Sequence, residues 1–353
     1  VIRVGAIGYG DIAQRRHFPQ LKELAGRAEL VGISGRDRGR MAEVAGRFGC
    51  RCYGDASEML ADPSIDAVLV LTPPESHADF AEMAVRAGKH VMVEKPLVRS
   101  VDEALRLRAA VREGKTFFAL PHVKTAEHGL VEGLIRGGAV GQVTLVENHR
   151  GHRGPTHAGW FYDRKLAGGG MLIDLGIYQL TAMAHLFGPA VRMAASCATV
   201  FATRTLDDGS VVRPDVEDSA VIALEMKSGI AVSVIANWNG SLSHHATRGR
   251  VIVTGREGML HFGVADGAVY IYRPDGDYSG LPVGAEPAPF DGYACRRLRV
   301  PQWGAAVSLV GAFVQMIEAE ESGVRGLDIQ VHVMDMVAAA YAGGGTVELP
   351  ARF

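Results

Sequence analysis

A strand-like run, Val91-Met92-Val93, ends in Glu94-Lys95-Pro96. In open α/β sheets ligands sit just beyond the carboxyl ends of such strands, so a carboxylate and an ammonium at this tip would stand at the rim of a crevice. A second pair, Asp174 and Tyr178, follows the triplet Gly168-Gly169-Gly170 and is spaced i, i+4, which puts both side chains on one helix face. The triplet suggests a backbone that a ligand must approach closely. A third cluster, Gly8-Tyr9-Gly10-Asp11-Ile12-Ala13, has the spacing G-x-G-x-x-(G/A) of a dinucleotide-binding turn. There Gly8 permits the tight turn, Gly10 lets the backbone reach a pyrophosphate, and Ala13 allows close helix-strand packing. His149, His152 and His157 raise the question of a metal, but the loop is rich in Gly and Arg and offers no carboxylate or thiolate nearby. No metal is expected, and a loop lining the mouth of a substrate site is.

The elements that must position these groups alternate at first. Apolar runs at Ile2 to Ile7, Leu30 to Ile33, Asp66 to Leu71, Val91 to Val93 and Thr116 to Leu120 are separated by helical patterns through Ala25, Ala78 to Ala87, and Val101 to Arg112. Such alternation predicts a doubly wound parallel sheet with right-handed crossovers, a Rossmann domain over residues 1–122. The second strand runs into Ser34-Gly35-Arg36-Asp37, the corner where a ribose would lie. No acid stands at Ser34-Gly35, and Arg36 suits a 2′-phosphate, so NADP(H) is favoured over NAD(H), with Asp37 a carboxylate one residue late. After the helix Glu127 to Arg136, strands follow at Val143 to Arg150, Arg192 to Val200, Val216 to Glu225, Ile230 to Trp238, Arg250 to Thr254, Met259 to Phe262 and Val269 to Tyr272. They predict an α+β domain over 123–353 on a largely antiparallel open sheet, closed by helices at Val307 to Glu321 and His332 to Ala342.

At 353 residues with 48% hydrophobic content, the chain can bury two cores. A formal net charge of -2 argues against nucleic acid or an anionic membrane surface as partner. Cys50, Cys52, Cys197 and Cys295 are scattered and read as reduced thiols of an intracellular, cytoplasmic protein. Val1-Ile2-Arg3-Val4 alternates like a strand, and no signal peptide is expected.

Taken together the residues resemble the Gfo/Idh/MocA oxidoreductases, along nearly the whole chain. The resemblance is carried by the Gly8 to Ala13 turn, Thr72-Pro73 with His77, Glu94-Lys95-Pro96, Gly141, Trp160 with Asp163, the glycine triplet, and Asp174-x-Gly176-x-Tyr178. Tyrosine at 178, where inositol-dehydrogenase-like members have histidine, is similar to the glucose-fructose oxidoreductase and dimeric dihydrodiol dehydrogenase branch. The resemblance implies a reacting constellation of Lys95, Asp174 and Tyr178, and a cis bond before Pro96. It also implies a cofactor site at Gly8, Gly10, Asp11, Ile12, Ala13, Thr72, Pro73, His77, Glu94 and Lys95, joined by Ser34 and Arg36. Substrate contacts are expected from His122, His157, Trp160, Asp174 and Tyr178.

The chemistry implied is hydride transfer between a nicotinamide and a secondary alcohol or ketone of a sugar, polyol or related small molecule. Tyr178 would trade the hydroxyl proton. A free phenol titrates near ~10, and a nearby ammonium, here Lys95, stabilises the phenolate. Asp174 would orient the pair or bind a substrate hydroxyl, and Glu94 could hold Lys95. The competing readings are an enzyme that retains its nucleotide without net redox turnover and a catalytically silent ligand-binding relative. An uncovered sheet face points to a homodimer or homotetramer.

Overall fold

The computed structural model describes residues 1–111, 115–119, 126–239, 249–263, 267–290, 292–300 and 308–353. His122, one of the expected substrate contacts, lies outside them. The chain divides into two units, Val1–His122 with Trp303–Met334, and Val123–Gln302 with Asp335–Phe353. The break after residue 122 is thus followed by a return, because Trp303–Met334 belongs with the first unit and not with a second domain running through 353.

In the first unit six strands form one parallel sheet: β1 (Ile2–Ile7), β2 (Ala28–Ser34), β3 (Arg51–Tyr53), β4 (Ala67–Val70), β5 (His90–Val93) and β6 (Phe117–Ala119). Their order is β3-β2-β1-β4-β5-β6, so the winding reverses between β1 and β4. That reversal opens a crevice at the carboxyl ends of the two strands, where Gly8 and Thr72 follow them. All four residues of β4 and the last three of β5 are buried, as strands covered on both faces require.

The helix Leu309–Glu318 explains the return of the chain. It buries Val310, Phe313 and Val314 in the core of the first sheet, with the Phe313 ring 6.0 Å from that of Phe118. Burying one such side chain contributes about 1.5–3 kcal/mol. Arg27 Nε donates to Glu318 Oε1 at 3.0 Å beside it.

The second unit contains a ten-stranded mixed sheet. In chain order its strands are β7 (Val143–Gly151), β8 (Ala190–Ala198), β11 (Ser219–Met226), β12 (Ala231–Asn237), β13 (Arg250–Gly255), β14 (Met259–Phe262), β15 (Ala268–Tyr272), β16 (Glu286–Phe290), β17 (Tyr293–Arg299) and β18 (Val347–Glu348); a separate small hairpin supplies β9 (Arg204–Thr205) and β10 (Val211–Val212). The order across the large sheet is β16-β17-β15-β14-β13-β7-β12-β11-β8-β18, antiparallel except where β7 pairs with β12. One face carries Val146, Asn148, Ala220, Ile222, Val234 and Ala236, all buried. The helix Ile177–Phe187 lies against it, with Gln179 Nε2 donating to Asn148 O at 3.0 Å and Oδ1 at 2.9 Å. The other face exposes Leu145 (40%), Val221 (52%) and Ile235 (38%).

β16 carries no strand signal in the sequence for a physical reason. Pro287 and Pro289 break the strand signal of Glu286–Phe290, and they are tolerated because β16 is an edge strand that pairs with β17 alone.

Candidate functional site

The first unit supplies a cleft of about 770 Å³ at the sheet's switch point. Gly8, Gly10, Ser34, Arg36, Thr72 and Pro73 all line it, and Tyr9, Gly35, Arg38, Ser57, Ser76, Phe80 and Met83 join them. The two fingerprint glycines have different reasons to lack a side chain. At Gly8, with φ 97°, a Cβ would stand 2.7 Å from the Leu71 carbonyl. At Gly10 it would meet nothing within 4 Å, so the space in front of the backbone is left to a ligand. A dinucleotide pyrophosphate fits this cradle. Ala13 is buried behind the turn, while Ile12 is exposed and Asp11 pairs with Arg15.

At the ribose corner the Asp37 carboxylate caps the helix Arg38–Phe48, accepting the Arg40 N–H at 3.0 Å. Tyr9 Oη donates to Asp37 O at 2.6 Å. The carboxylate that competes with Arg36 in the sequence is therefore engaged as a helix cap. Arg38 was not foreseen in the cleft; its Nη2 donates to Gly54 O at 3.2 Å.

His77 and Glu94 are buried and serve the backbone. The His77 ring lies with Nδ1 2.7 Å from Pro96 O and Nε2 2.6 Å from Thr72 O, linking the segments that follow β4 and β5. Burial lowers its pKa, with the two carbonyls and the Glu94 charge pulling the other way. A neutral ring has one N–H, so it donates to one carbonyl at a time. Glu94 accepts from His17 Nε2 at 2.9 Å and from the Lys95 backbone N–H at 2.6 Å. Burial alone would raise the Glu94 carboxyl, but the His17 hydrogen bond and charge, together with Lys95, outweigh it and hold the pKa below its ordinary value. The Lys95–Pro96 peptide is cis.

In the second unit the chain from Met171 to Ala184 is buried except at Asp174 and Tyr178. A π-helical turn, Leu172–Gly176, passes into the helix Ile177–Phe187 and carries both residues to the surface. Opposite them is the end of β7. The Arg150 guanidinium carbon lies 5.2 Å from the centre of the Tyr178 ring, and His152 Nε2 is 3.6 Å from Asp174 Oδ2. The Gly154 N–H donates to His152 Nδ1 at 2.9 Å, which leaves the proton of a neutral ring on Nε2, facing the carboxylate. Positions 148, 150 and 152 alternate along one strand line and meet Gln179, Tyr178 and Asp174 in turn.

The three histidines of this region have separate partners. His149 Nε2 is 3.3 Å from Asn237 Nδ2, His152 faces Asp174, and the His157 ring lies edge-on to Phe161 at 5.2 Å. Trp160 stacks on the same Phe161 ring at 3.8 Å. Among the described residues no three His, Cys, Asp or Glu side chains gather where they could share a metal ion.

The glycine triplet corrects an expectation. A Cβ on Gly169 would stand 2.0 Å from Tyr341 Oη, and one on Gly170 would stand 2.0 Å from Glu217 O. Protein, not ligand, approaches these two glycines. The buried Glu217 accepts from Leu172 N at 2.9 Å, from Gly170 N at 3.1 Å and from Tyr341 Oη at 2.9 Å, fixing the start of the segment that carries Asp174. Burial pushes the Tyr341 phenol well above its ordinary pKa, and the Glu217 charge adds to the shift.

Two family models match the chain: the oxidoreductase family with NAD-binding Rossmann fold over residues 2–121, and the GFO/IDH/MocA C-terminal domain over residues 130–261. The chain is 30% identical over 278 residues, 77% of its length and 79% of the relative's, to a dTDP-3,4-didehydro-2,6-dideoxy-alpha-D-glucose 3-reductase of Streptomyces antibioticus. It is 26% identical over 263 residues to a 1,5-anhydro-D-fructose reductase of Ensifer adhaerens, covering 73% of this chain and 74% of that one. Among solved structures it shares its fold with a levoglucosan dehydrogenase in complex with NADH and L-sorbose, with a TM-score of 0.84 at 20% identity over 100% of both chains. A 3-ketoreductase from Actinomadura kijaniata in complex with NADP and TDP-benzene gives 0.74 at 24% identity over 97% of both. The protein belongs to the Gfo/Idh/MocA family of NAD(P)-dependent oxidoreductases. Among the described residues, no helix is long and apolar enough to cross a membrane.

Proposed function

We propose that this chain is a dehydrogenase or reductase of CH–OH groups, acting on a secondary alcohol or ketone of a sugar, a sugar derivative or a polyol. The carrying observation is that Asp174 and Tyr178 alone break the surface of an otherwise buried segment, spaced i, i+4. When bound, the nicotinamide supplies the hydride acceptor or donor. Tyr178 takes the hydroxyl proton in oxidation and returns it in reduction. Asp174, faced by the N–H of His152, binds a neighbouring substrate hydroxyl and so fixes which carbon reacts. Lys95 stabilises the phenolate form of Tyr178. The names of the relatives, reductases of a dTDP-linked dideoxysugar and of 1,5-anhydro-D-fructose, support the substrate class.

For the cofactor we favour NADP(H). The reason is the pair Arg36 and Arg38 in the cleft, with Asp37 turned into its helix cap. Arg36→Ala should remove a preference for NADP(H) over NAD(H) in direct binding; equal affinities in the unaltered protein would defeat this assignment. The exposed face bearing Leu145, Val221 and Ile235 is proposed to pair with a second copy as a homodimer or within a homotetramer, and light scattering at micromolar protein tests it.

The activity is tested by following nicotinamide absorbance with a panel of sugars, ketosugars, polyols and aromatic diols and with both cofactors. Turnover of at least one CH–OH or ketone substrate is expected. A cofactor that stays bound with no net oxidation or reduction across the panel would contradict it.

A further inference from the structure

Arg150 stands out among the cations of the second unit. It is half-buried at the end of β7, its guanidinium rests on the face of the Tyr178 ring, and among the described residues it makes no ion pair. A guanidinium is always charged, and one stacked on a ring still has N–H groups to offer an acceptor. Glu127 feels the Arg150 charge; its carboxylate accepts the Gly263 N–H at 3.0 Å, and burial raises its pKa against the pull of that bond and of Arg150. The second carboxylate of this region, Asp174, one helical turn from Tyr178, faces His152. His128 is kept uncharged down to about 4 by burial, the charge of His185 and that of Arg150. Arg250 pairs with His149 across the β7–β13 ladder, and Arg153 is exposed three residues further along the chain.

The stack on Tyr178 uses the face of the guanidinium and leaves its edge N–H groups for an acceptor. We propose that Arg150 is an anion-binding residue of the substrate site, and that the substrate is an anionic carbohydrate whose carboxylate or phosphate group Arg150 receives beside the Tyr178 hydroxyl. The inference rests on Tyr178 and Asp174 forming the substrate half-site and adds to it the charge of what binds there. Seated on the ring it anchors, the anion fixes the substrate at Tyr178 while Asp174 holds a hydroxyl, two points of attachment of different chemistry from adjacent positions on one helix face. His152, two residues on from Arg150, already faces Asp174, whereas among the described residues no carboxylate forms an ion pair with Arg150.

The test is equilibrium binding to the cofactor-loaded protein of three matched probes, D-glucose, D-glucuronate and D-glucose 6-phosphate, at low and at high salt. A charge-assisted, two-pronged hydrogen bond predicts that one of the two anions binds about 10- to 100-fold tighter than glucose, with the advantage falling as salt rises. Glucuronate as the tighter ligand identifies a carboxylate, and glucose 6-phosphate a phosphate. Arg150→Gln should erase the preference while leaving cofactor affinity unchanged, and Arg150→Lys should keep part of it, since lysine retains the charge without the fork. Equal affinities for the three probes, no measurable binding of either anion, or a preference that survives Arg150→Gln would overturn the proposal. Because binding is read without turnover, these outcomes are independent of whether the protein oxidises or reduces any member of the substrate panel.

Discussion

His17 donates its Nε2 hydrogen to Glu94 Oε1 across 2.9 Å, and the other oxygen of Glu94 accepts the backbone N–H of Lys95 at 2.6 Å. His17 is fully buried and Glu94 is 8% exposed. Glu94 thus fixes the Lys95 backbone, and a histidine from the first helical segment fixes Glu94. Removing one partner of a buried pair leaves the other uncompensated, so His17→Leu should lower stability at neutral pH by about 3–5 kcal/mol in denaturant unfolding. The folded Glu94 pKa is depressed, so its contribution is present above the unfolded value of ~4.3 and is lost as pH falls through the folded value. In His17→Leu burial goes unopposed by the histidine and raises that pKa. The wild type should therefore hold its melting temperature to lower pH than the variant, and parallel pH profiles would count against the pair.

Gly8 and Gly10 separate folding from binding. Gly10→Val adds a side chain where the protein has nothing within 4 Å, so the melting temperature should stay near wild type while cofactor affinity is lost. Gly8→Ala puts a Cβ 2.7 Å from the Leu71 carbonyl at a φ of 97°, which should cost about 1–3 kcal/mol or more of stability. Melting curves with and without cofactor distinguish the two. A Gly10→Val protein that keeps its cofactor-induced shift would place the phosphate site elsewhere.

The glycine triplet gives a coupled pair. Gly169→Ala collides with Tyr341 Oη, and Tyr341→Phe removes that oxygen at the loss of its hydrogen bond to Glu217. Each single change should destabilise, and the double variant should be less destabilised than the sum, by about 0.5–3 kcal/mol of coupling. Additive losses would show that Tyr341 is not what demands the glycine.

What the sequence made legible was local. Gly8 and Gly10 declare themselves because a strand precedes and a helix follows them, and the parallel sheet follows from the same alternation. Asp174 and Tyr178 were legible through helical spacing. His17 was not, because its partner is 77 positions away and nothing beside it signals a buried pair. Gly169 and Gly170 were misread because a missing Cβ can make room for Tyr341 and Glu217 as well as for a ligand. The return of Leu309–Glu318 to the first core depends on Phe313 meeting Phe118, a contact between distant segments that periodicity cannot express. Arg150 lies within a strand whose existence was plain, and only the structure shows which ring it faces.

In the proposed reaction Tyr178 exchanges the substrate proton and Lys95 favours its phenolate. The most direct measurement is the single-turnover rate of Tyr178→Phe, Lys95→Ala and the double variant on a substrate found by the panel, with cofactor affinity measured alongside. Each single variant should lose about 10²- to 10⁴-fold in rate with cofactor binding nearly intact in Tyr178→Phe, and the two losses should not multiply, because residues acting as one unit are non-additive. A Tyr178→Phe protein that turns over at a near-normal rate would contradict the account and move the proton to another group, with Asp174 and its His152 partner the next to test.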